Sequence, residues 1–288
     1  FGAIGLAGAS QGDPAPAAPA AAALWRPLPG AVYLSTATAG TVGGVAFAPA
    51  DIIRYDPASG AWSMIFDASD AGVTKNVVAF EMLDDNKLWL AFAANQAIAG
   101  VGTFTPQDIA VFTPTALGAT TAGTFAWLFD GSAHSLTTLA EKIDGLARLG
   151  NGQIVLSTSG AADVVRLNGT HLKAQDEDAL AYDPASGQWS LVFDGSTVPG
   201  LAVEDANGLW VDPASGDVYV NMLDAFNLGG IRGDGKDIAR VRWQDGAARP
   251  SLLFDGSAYA LPARIDAIDL AADVPSGFAS PVGCVPDQ

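Results

Sequence analysis

Aspartate is the residue with the most regular spacing in this chain, and its carboxylate is well suited to holding a cation. The tetrads FDAS, FDGS, FDGS and FDGS begin at Phe66, Phe129, Phe193 and Phe254, which are 63, 64 and 61 residues apart. Each tetrad places one aspartate in a turn, and further aspartates recur before and after it at similar intervals. Hard cations, above all Ca²⁺, prefer oxygen ligands of this kind. The spacing therefore predicts a repeated acidic site.

The candidate ligands share one expected location, either in the tetrad turn or at the start of a neighbouring strand. They are Asp51, Asp108, Asp130, Asp144, Asp176, Asp178, Asp194, Asp237, Asp255 and Asp266. Like charges crowded together repel one another unless something offsets them. Calcium is one such offset. The alternatives are that the aspartates accept backbone hydrogen bonds in their own turns and lock neighbouring repeats together, or that they take part in catalysis.

Short strands and turns, rather than helices, must position these aspartates. In the unit that starts at Asp51, apolar and polar residues alternate in four runs separated by Gly, Pro, Asp and Asn. Alternation with a period of two is typical of strands. The same order recurs through the chain, and the turn sequence DPASG occurs at Asp56, Asp183 and Asp212.

Four antiparallel strands per unit, copied four times, predict an all-β fold, a β-propeller with four-stranded blades. The last unit lacks a good fourth strand, because the segment 277–282 is interrupted by proline. The segment AVYLST at 31–36 resembles QIVLST at 153–158. We therefore predict that an N-terminal strand completes the last blade and closes a ring of four blades. A ring of five blades is the alternative, because the residues before 31 also resemble a strand.

Antiparallel strands sort their connections onto two faces. The tetrad turns and the starts of the first and third strands of each unit fall on one face, and the DPASG turns fall on the other. About three acidic positions per blade therefore lie on one face. We call it the FDGS face.

Composition excludes several classes of protein. There are 31 acidic and 14 basic residues, so the net charge is −17, which repels nucleic acid. The apolar runs are too short to span a bilayer. One cysteine, Cys284, permits no intramolecular disulfide, and the two histidines leave little room for a histidine-rich centre. We predict a monomer without a nucleic-acid partner or a membrane span.

The chain divides into three parts. Residues 1–30 resemble the remnant of a signal peptide followed by a Pro/Ala-rich leader, which favours export. Residues 31–283 form a single propeller domain, and residues 284–288 form a tail.

A few other side chains are candidates for binding. The insertion 162–175 lengthens one loop on the FDGS face and carries Arg166, Asn168 and His171. Insertions in repeat proteins often carry specificity. Tyr259 and Trp243 are suited to stacking on a sugar, and His134 follows one of the tetrads.

Several phrases of the sequence resemble repeats of the FDGS and DIDAL type in uncharacterised, exported bacterial proteins. They are the FDGS tetrads, KIDGL at 142–146, RIDAI at 264–268, QDED at 175–178 and PTALGATTAGT at 114–124. The resemblance covers roughly residues 31–270. It implies a secreted, periplasmic or cell-surface propeller and brings no catalytic motif. The first unit departs from it, with Ala68 for Gly and Val78 for the usual Asp.

These patterns predict two possible functions. The first is a binding or scaffold module whose acidic face takes calcium, a glycan or a protein ligand. The second is a metal-dependent hydrolase or lyase that acts on a polysaccharide or ester at the central channel. The sequence offers no pairing of nucleophile and base, which favours the binding module.

Overall fold

The computed structural model describes residues 27–270, and these form a four-bladed β-propeller. Each blade has four antiparallel strands, named below in order from the innermost to the outermost. Blade 1 consists of β24 (Ile265–Leu270), β1 (Val32–Thr36), β4 (Ile52–Asp56) and β5 (Ala61–Phe66). Blade 2 consists of β6 (Val77–Leu83), β7 (Lys87–Phe92), β10 (Ile109–Ala116) and β11 (Ala122–Phe129). Blade 3 consists of β12 (Ile143–Arg148), β13 (Ile154–Thr158), β16 (Ala179–Asp183) and β17 (Gln188–Phe193). Blade 4 consists of β18 (Ala206–Val211), β19 (Val218–Met222), β22 (Ile238–Gln244) and β23 (Ala247–Phe254).

The predicted ring closure is confirmed, and the number of blades is four. Strand β1, from the start of the described chain, pairs with β24 from its end, with Leu34 opposite Ile268. The four inner strands β24, β6, β12 and β18 surround the axis, and each packs against its two neighbours. The weak strand predicted at 277–282, the leader and the tail lie outside the described residues, except for positions 27–30 of the leader.

The blade boundary differs from the predicted one by half a unit. The four strands that follow Asp51 do not form one blade, because β4 and β5 complete blade 1 whereas β6 and β7 begin blade 2. Each tetrad turn therefore connects the outer strand of one blade to the inner strand of the next.

The repeated phenylalanine of the tetrad packs between blades. Phe66, Phe129 and Phe254 contact an aromatic ring on the third strand of an adjacent blade, namely Phe112 at 5.3 Å, Tyr182 at 5.3 Å and Tyr55 at 5.9 Å between ring centroids. The fourth tetrad ring, Phe193, meets Trp243 edge-on at 5.7 Å. Aromatic pairs of this kind add stability beyond the area they bury. The tetrad recurs because every blade interface needs this ring.

Every blade also carries a small ribbon of two strands between its second and third strands, on the FDGS side. The ribbons are β2 (Gly40–Val42) with β3 (Val45–Phe47), β8 (Gln96–Ile98) with β9 (Gly102–Phe104), β14 (Ala162–Val165) with β15 (His171–Ala174), and β20 (Phe226–Leu228) with β21 (Ile231–Gly233). The predicted insertion at 162–175 is therefore one copy of an element that all four blades share. Four short 3₁₀ helices complete the FDGS face, at Gly131–His134, Leu139–Glu141, Gly195–Thr197 and Leu201–Val203.

Candidate functional site

Each blade has one predicted aspartate whose buried side chain bridges two backbone segments. We call this arrangement a strap. One carboxylate oxygen accepts a hydrogen bond from the backbone N–H three residues earlier, and the other accepts one from the residue after the tetrad aspartate. The strap of Asp178, for example, joins Gln175 N at 2.8 Å to Gly195 N at 2.9 Å. The equivalent straps are Asp51 on Ala48 and Ala68, Asp108 on Thr105 and Gly131, and Asp237 on Asp234 and Gly256. This geometry ties the third and fourth strands of each blade at the FDGS face.

The tetrad aspartates at Asp130, Asp194 and Asp255 bond within their own turns. Asp130 accepts a hydrogen bond from Ser132 Oγ at 2.7 Å, and Asp194 accepts from Ser196 N at 3.1 Å. Asp255 accepts from Ala258 N at 2.9 Å. The Ser132 hydroxyl lowers the pKa of Asp130, because it stabilises the ionised carboxylate. These three side chains lie at the turns, apart from the axis.

A β-bulge in each inner strand marks the mouth of the axial channel. The register shifts at the second residue of every inner strand, and these residues are Val78, Asp144, Asn207 and Asp266. A bulged residue is left out of the ladder pairing, and bulges often re-aim a side chain beside a functional site. The predicted candidates Asp144 and Asp266 therefore occupy positions equivalent to those of Asn207 and Val78. The four positions form a ring on the FDGS face.

One cavity at this mouth is lined by Asp144. It has a volume of about 300 Å³ and is lined by Val78, Lys142, Asp144, Ser159, Asp205 and Asn207, among others. Asp144 is 7% exposed and its Oδ1 accepts a hydrogen bond from Ser157 Oγ at 2.7 Å. Burial raises the pKa of Asp144 to about 8, and the charges of Asp205 and Asp176 act in the same direction. Asp144 therefore holds a proton at neutral pH.

Asp266 lies on the other side of the mouth and has polar partners of its own. Its Oδ1 is 3.2 Å from Arg264 Nη2, and its Oδ2 accepts from Asn76 Nδ2 at 3.4 Å. Asn76, Lys142, Asp205 and Arg264 occupy equivalent positions, each one residue before an inner strand. The opening is therefore bordered by two cationic side chains, one amide and one carboxyl. Asp176 interacts electrostatically with Asp144 and Asp205 but belongs to the loop before β16.

Sequence reasoning missed a polar group at the opposite end of the channel. Trp210 Nε1 donates to Glu81 Oε2 at 2.9 Å, which joins the inner strands of blades 4 and 2 across the axis. Asp269 accepts from Met82 N nearby. Burial raises the pKa of Glu81 well above its usual range and that of Asp269 to about 7. Acidic residues inside the otherwise apolar strands 77–83 and 265–270 were the signal that could have found them.

The remaining candidate side chains have structural partners. His134 stacks on Phe129, with ring centroids 4.9 Å apart, and burial lowers its pKa. His171 Nδ1 is 2.7 Å from Asp163 Oδ1 on the exposed ribbon β14–β15. Arg166 donates to the carbonyl of Trp189, and Asn168 caps the ribbon tip by accepting from Thr170. Tyr259 stacks on Phe254 at 5.0 Å, inside the interface between blades 4 and 1.

Within residues 27–270, no three acidic, histidine or cysteine side chains converge closely enough to share a metal ion. The calcium site stays a prediction. Over the same range, no helix has the length and apolar character needed to span a bilayer.

No protein-family model and no curated protein matches the chain. Among solved structures, 88 chains match. A PQQ-bound aldose sugar dehydrogenase from Streptomyces coelicolor has a TM-score of 0.34 and 12% identity, over 86% of this chain and 94% of that one. YCF48 bound to D1 peptide has a TM-score of 0.30 and 12% identity, over 84% and 89%.

An auxiliary nutrient binding protein from Bacteroides ovatus has a TM-score of 0.31 and 14% identity, over 73% of this chain and 38% of that one. This chain therefore matches well under half the length of that protein. TM-scores of this size transfer neither ligand nor activity.

Proposed function

We propose that this chain is an exported binding module that holds a small polar ligand at the FDGS mouth of its axial channel. The observation that carries the proposal is the bulged, buried Asp144, which opens into a cavity of about 300 Å³. Pockets of this size, with a few polar groups placed on a rigid frame, are typical of small-molecule sites.

The chemistry of the lining defines the ligand. Lys142 offers a charged donor, and protonated Asp144 can donate as well as accept. Asn207 offers its amide oxygen as an acceptor, because its Nδ2 already donates to the carbonyls of Ile265 and Asp266. Val78 and Leu223 supply apolar surface in the same cavity. A ligand with several hydroxyl or amine groups on a compact frame fits this set, and a monosaccharide or amino sugar has that form.

Export rests on two observations from the sequence. The first ten residues are apolar and end in small side chains, as the end of a signal peptide does. The repeats also resemble those of exported bacterial proteins. Fractionation of the source cells tests this part, and we expect the protein in the periplasm, on the surface or in the medium.

Thermal unfolding against a panel of compounds tests the ligand site. The panel contains glucose, galactose, N-acetylglucosamine, glucosamine and the common amino acids. We expect at least one of them to raise the melting temperature, since a ligand that binds only the folded state stabilises it.

The matched pair of variants is Asn207→Ala at the mouth and Asn168→Ala on the exposed ribbon tip. The shift should be lost in N207A and kept in N168A. A compound that shifts both variants equally would place the ligand elsewhere, and a panel with no active compound would count against the proposal.

A further inference from the structure

The third strand of blade 4 differs from the third strands of the other blades, and a second cavity lies beside it. Arg240 is equivalent to Arg54, Val111 and Ala181. In each blade, three residues of the third strand pair with the second strand, and these four are the middle ones. Three residues later the other blades have Pro57, Pro114 and Pro184, whereas blade 4 has Trp243. Strand β22 continues to Gln244 and includes Trp243, whereas the equivalent strands β4 and β16 end at Asp56 and Asp183.

The tryptophan at this position is only partly packed into the interface between blades 3 and 4. The ring is 41% exposed and makes only an edge contact with Phe193. It borders a cavity of about 410 Å³ between blades 3 and 4, together with Leu149, Val192, Val211, Ser215 and Asp217. The volume lies within the range of roughly 300–1,000 Å³ that is typical of small-molecule sites.

Asp217 supplies a fixed acceptor in this cavity. The residue is 4% exposed, and its Oδ2 accepts from Arg240 Nε at 2.8 Å and lies 3.2 Å from Arg242 Nε. Among the described residues, every side-chain hydrogen bond to Asp217 goes to Oδ2. Its Oδ1 is therefore an unused acceptor on a carboxylate that two guanidinium groups hold in place.

We propose that this cavity is a second binding site and that it takes a neutral saccharide. The exposed indole offers a flat apolar surface for one face of a pyranose ring. Asp217, which lines the cavity, accepts from a ring hydroxyl. The two arginines more than neutralise Asp217, so the site disfavours a cationic ligand in spite of the net charge of −17.

Calorimetric titration tests the site with five probes, which are maltotriose, cellotriose, chitotriose, choline and trigalacturonate. We expect at least one of the three neutral trisaccharides to bind. Trp243→Ala should weaken that binding about fivefold, because stacking contributes on the order of 1 kcal/mol and 1.4 kcal/mol corresponds to a factor of about ten. Trp127→Ala is the matched control, since Trp127 is 44% exposed on blade 2 and lies outside the cavity.

Two further variants separate recognition from folding. Trp243→Phe keeps a ring against Phe193 and should retain most of the affinity. Asn207→Ala, at the FDGS mouth, should leave this binding unchanged.

The proposal is overturned if none of the neutral trisaccharides binds, or if only choline or trigalacturonate does. It is also overturned if W243A binds as tightly as W127A.

Discussion

Aspartates of the same type and spacing have different roles in this protein because their surroundings differ. Asp178 is buried and accepts two backbone N–H groups, whereas Asp130 is exposed and bonds to the serine of its own turn. Asp144 is buried beside a cavity with one hydroxyl as a partner. Only the last arrangement leaves a buried carboxyl available to a ligand.

The proton on Asp144 leads to a prediction about stability. Burial raises its pKa to about 8, so at pH 7 the folded state keeps a proton that the unfolded chain releases. Asp144→Asn removes this cost and keeps an acceptor for Ser157. We expect the variant to be more stable at pH 7 by up to about 4 kcal/mol, because pH 7 lies about three units above the pKa of an unfolded aspartate and one unit corresponds to about 1.4 kcal/mol.

Urea unfolding at pH 4 and pH 7 checks this expectation. The gain should be small at pH 4, where an aspartate in the unfolded chain is also protonated about half of the time. Asp130→Asn serves as the control, since the pKa of Asp130 is lowered and its substitution should not stabilise. Equal effects of D144N at both pH values would contradict the raised pKa.

At the scale of single elements, space is tight around the glycine in three of the four tetrad turns, whereas blade 1 has Ala68 at the equivalent position. A Cβ on Gly131, Gly195 or Gly256 would lie 2.2–2.3 Å from the carbonyl oxygen of the residue before the strap aspartate. We therefore expect Gly195→Ala to destabilise the protein by about 1–3 kcal/mol, as overpacking does. Chemical denaturation measures the difference.

Gly150→Ala is the matched substitution for that measurement. Gly150 lies in the turn between β12 and β13, has open space around it and has no positive φ. The change there should be neutral or slightly stabilising. Similar losses in G195A and G150A would show that the close backbone approach at the tetrad is not what selects glycine.

The sequence predicted the blade strands well because each spans five or more residues, either alternating or largely apolar, between turn residues. Strand β6 covers residues 77–83, inside the unit that starts at Asp51, and the DPASG sequences form the expected turns. The four ribbons were missed because most of their strands have three residues, which is too short for a period of two to show. Glycine pairs such as Gly43–Gly44 and Gly229–Gly230 at the ribbon tips were the available signal.

The site was predicted less completely, for a physical reason. Asp144 and Asp266 were identified as candidates because they recur with the repeat. Arg264, Asn76 and Glu81 gain their roles from side chains in other blades, and spacing along the chain does not reveal those neighbours. The half-unit error in the blade boundary has the same origin, since alternation shows strands but not which strands pair.

At the scale of the whole molecule, calcium is a prediction with a direct test. The strap carboxylates already accept backbone donors, so calcium would have to bind acidic side chains that remain free at the FDGS face. If it does, an excess of chelator should lower the melting temperature by several degrees, and added Ca²⁺ should restore it. An unchanged transition would indicate that backbone hydrogen bonds are enough to offset the acidic charge.

The buried carboxyls of the propeller predict how stability depends on pH. Burial is the main cause of the raised pKa values of Glu81, Asp144, Asp237 and Asp269, and the pKa values of the three aspartates are about 8, 6 and 7 in that order. The unfolded chain ionises such groups near pH 4, whereas the folded protein does so only at higher pH. The free energy of unfolding should therefore fall as the pH rises from about 4 to 8.

Carboxyls with lowered pKa values, such as Asp130 and Glu141, act in the opposite direction, but only below about pH 4.5. We expect maximal stability at mildly acidic pH and a melting temperature several degrees lower at pH 8 than at pH 5. Glu81→Gln should flatten this slope, because the neutral amide still accepts from Trp210 and has no proton to lose. A melting temperature that rises steadily towards pH 8, in the wild type and the variant alike, would show that the buried carboxyls are ionised in the folded protein.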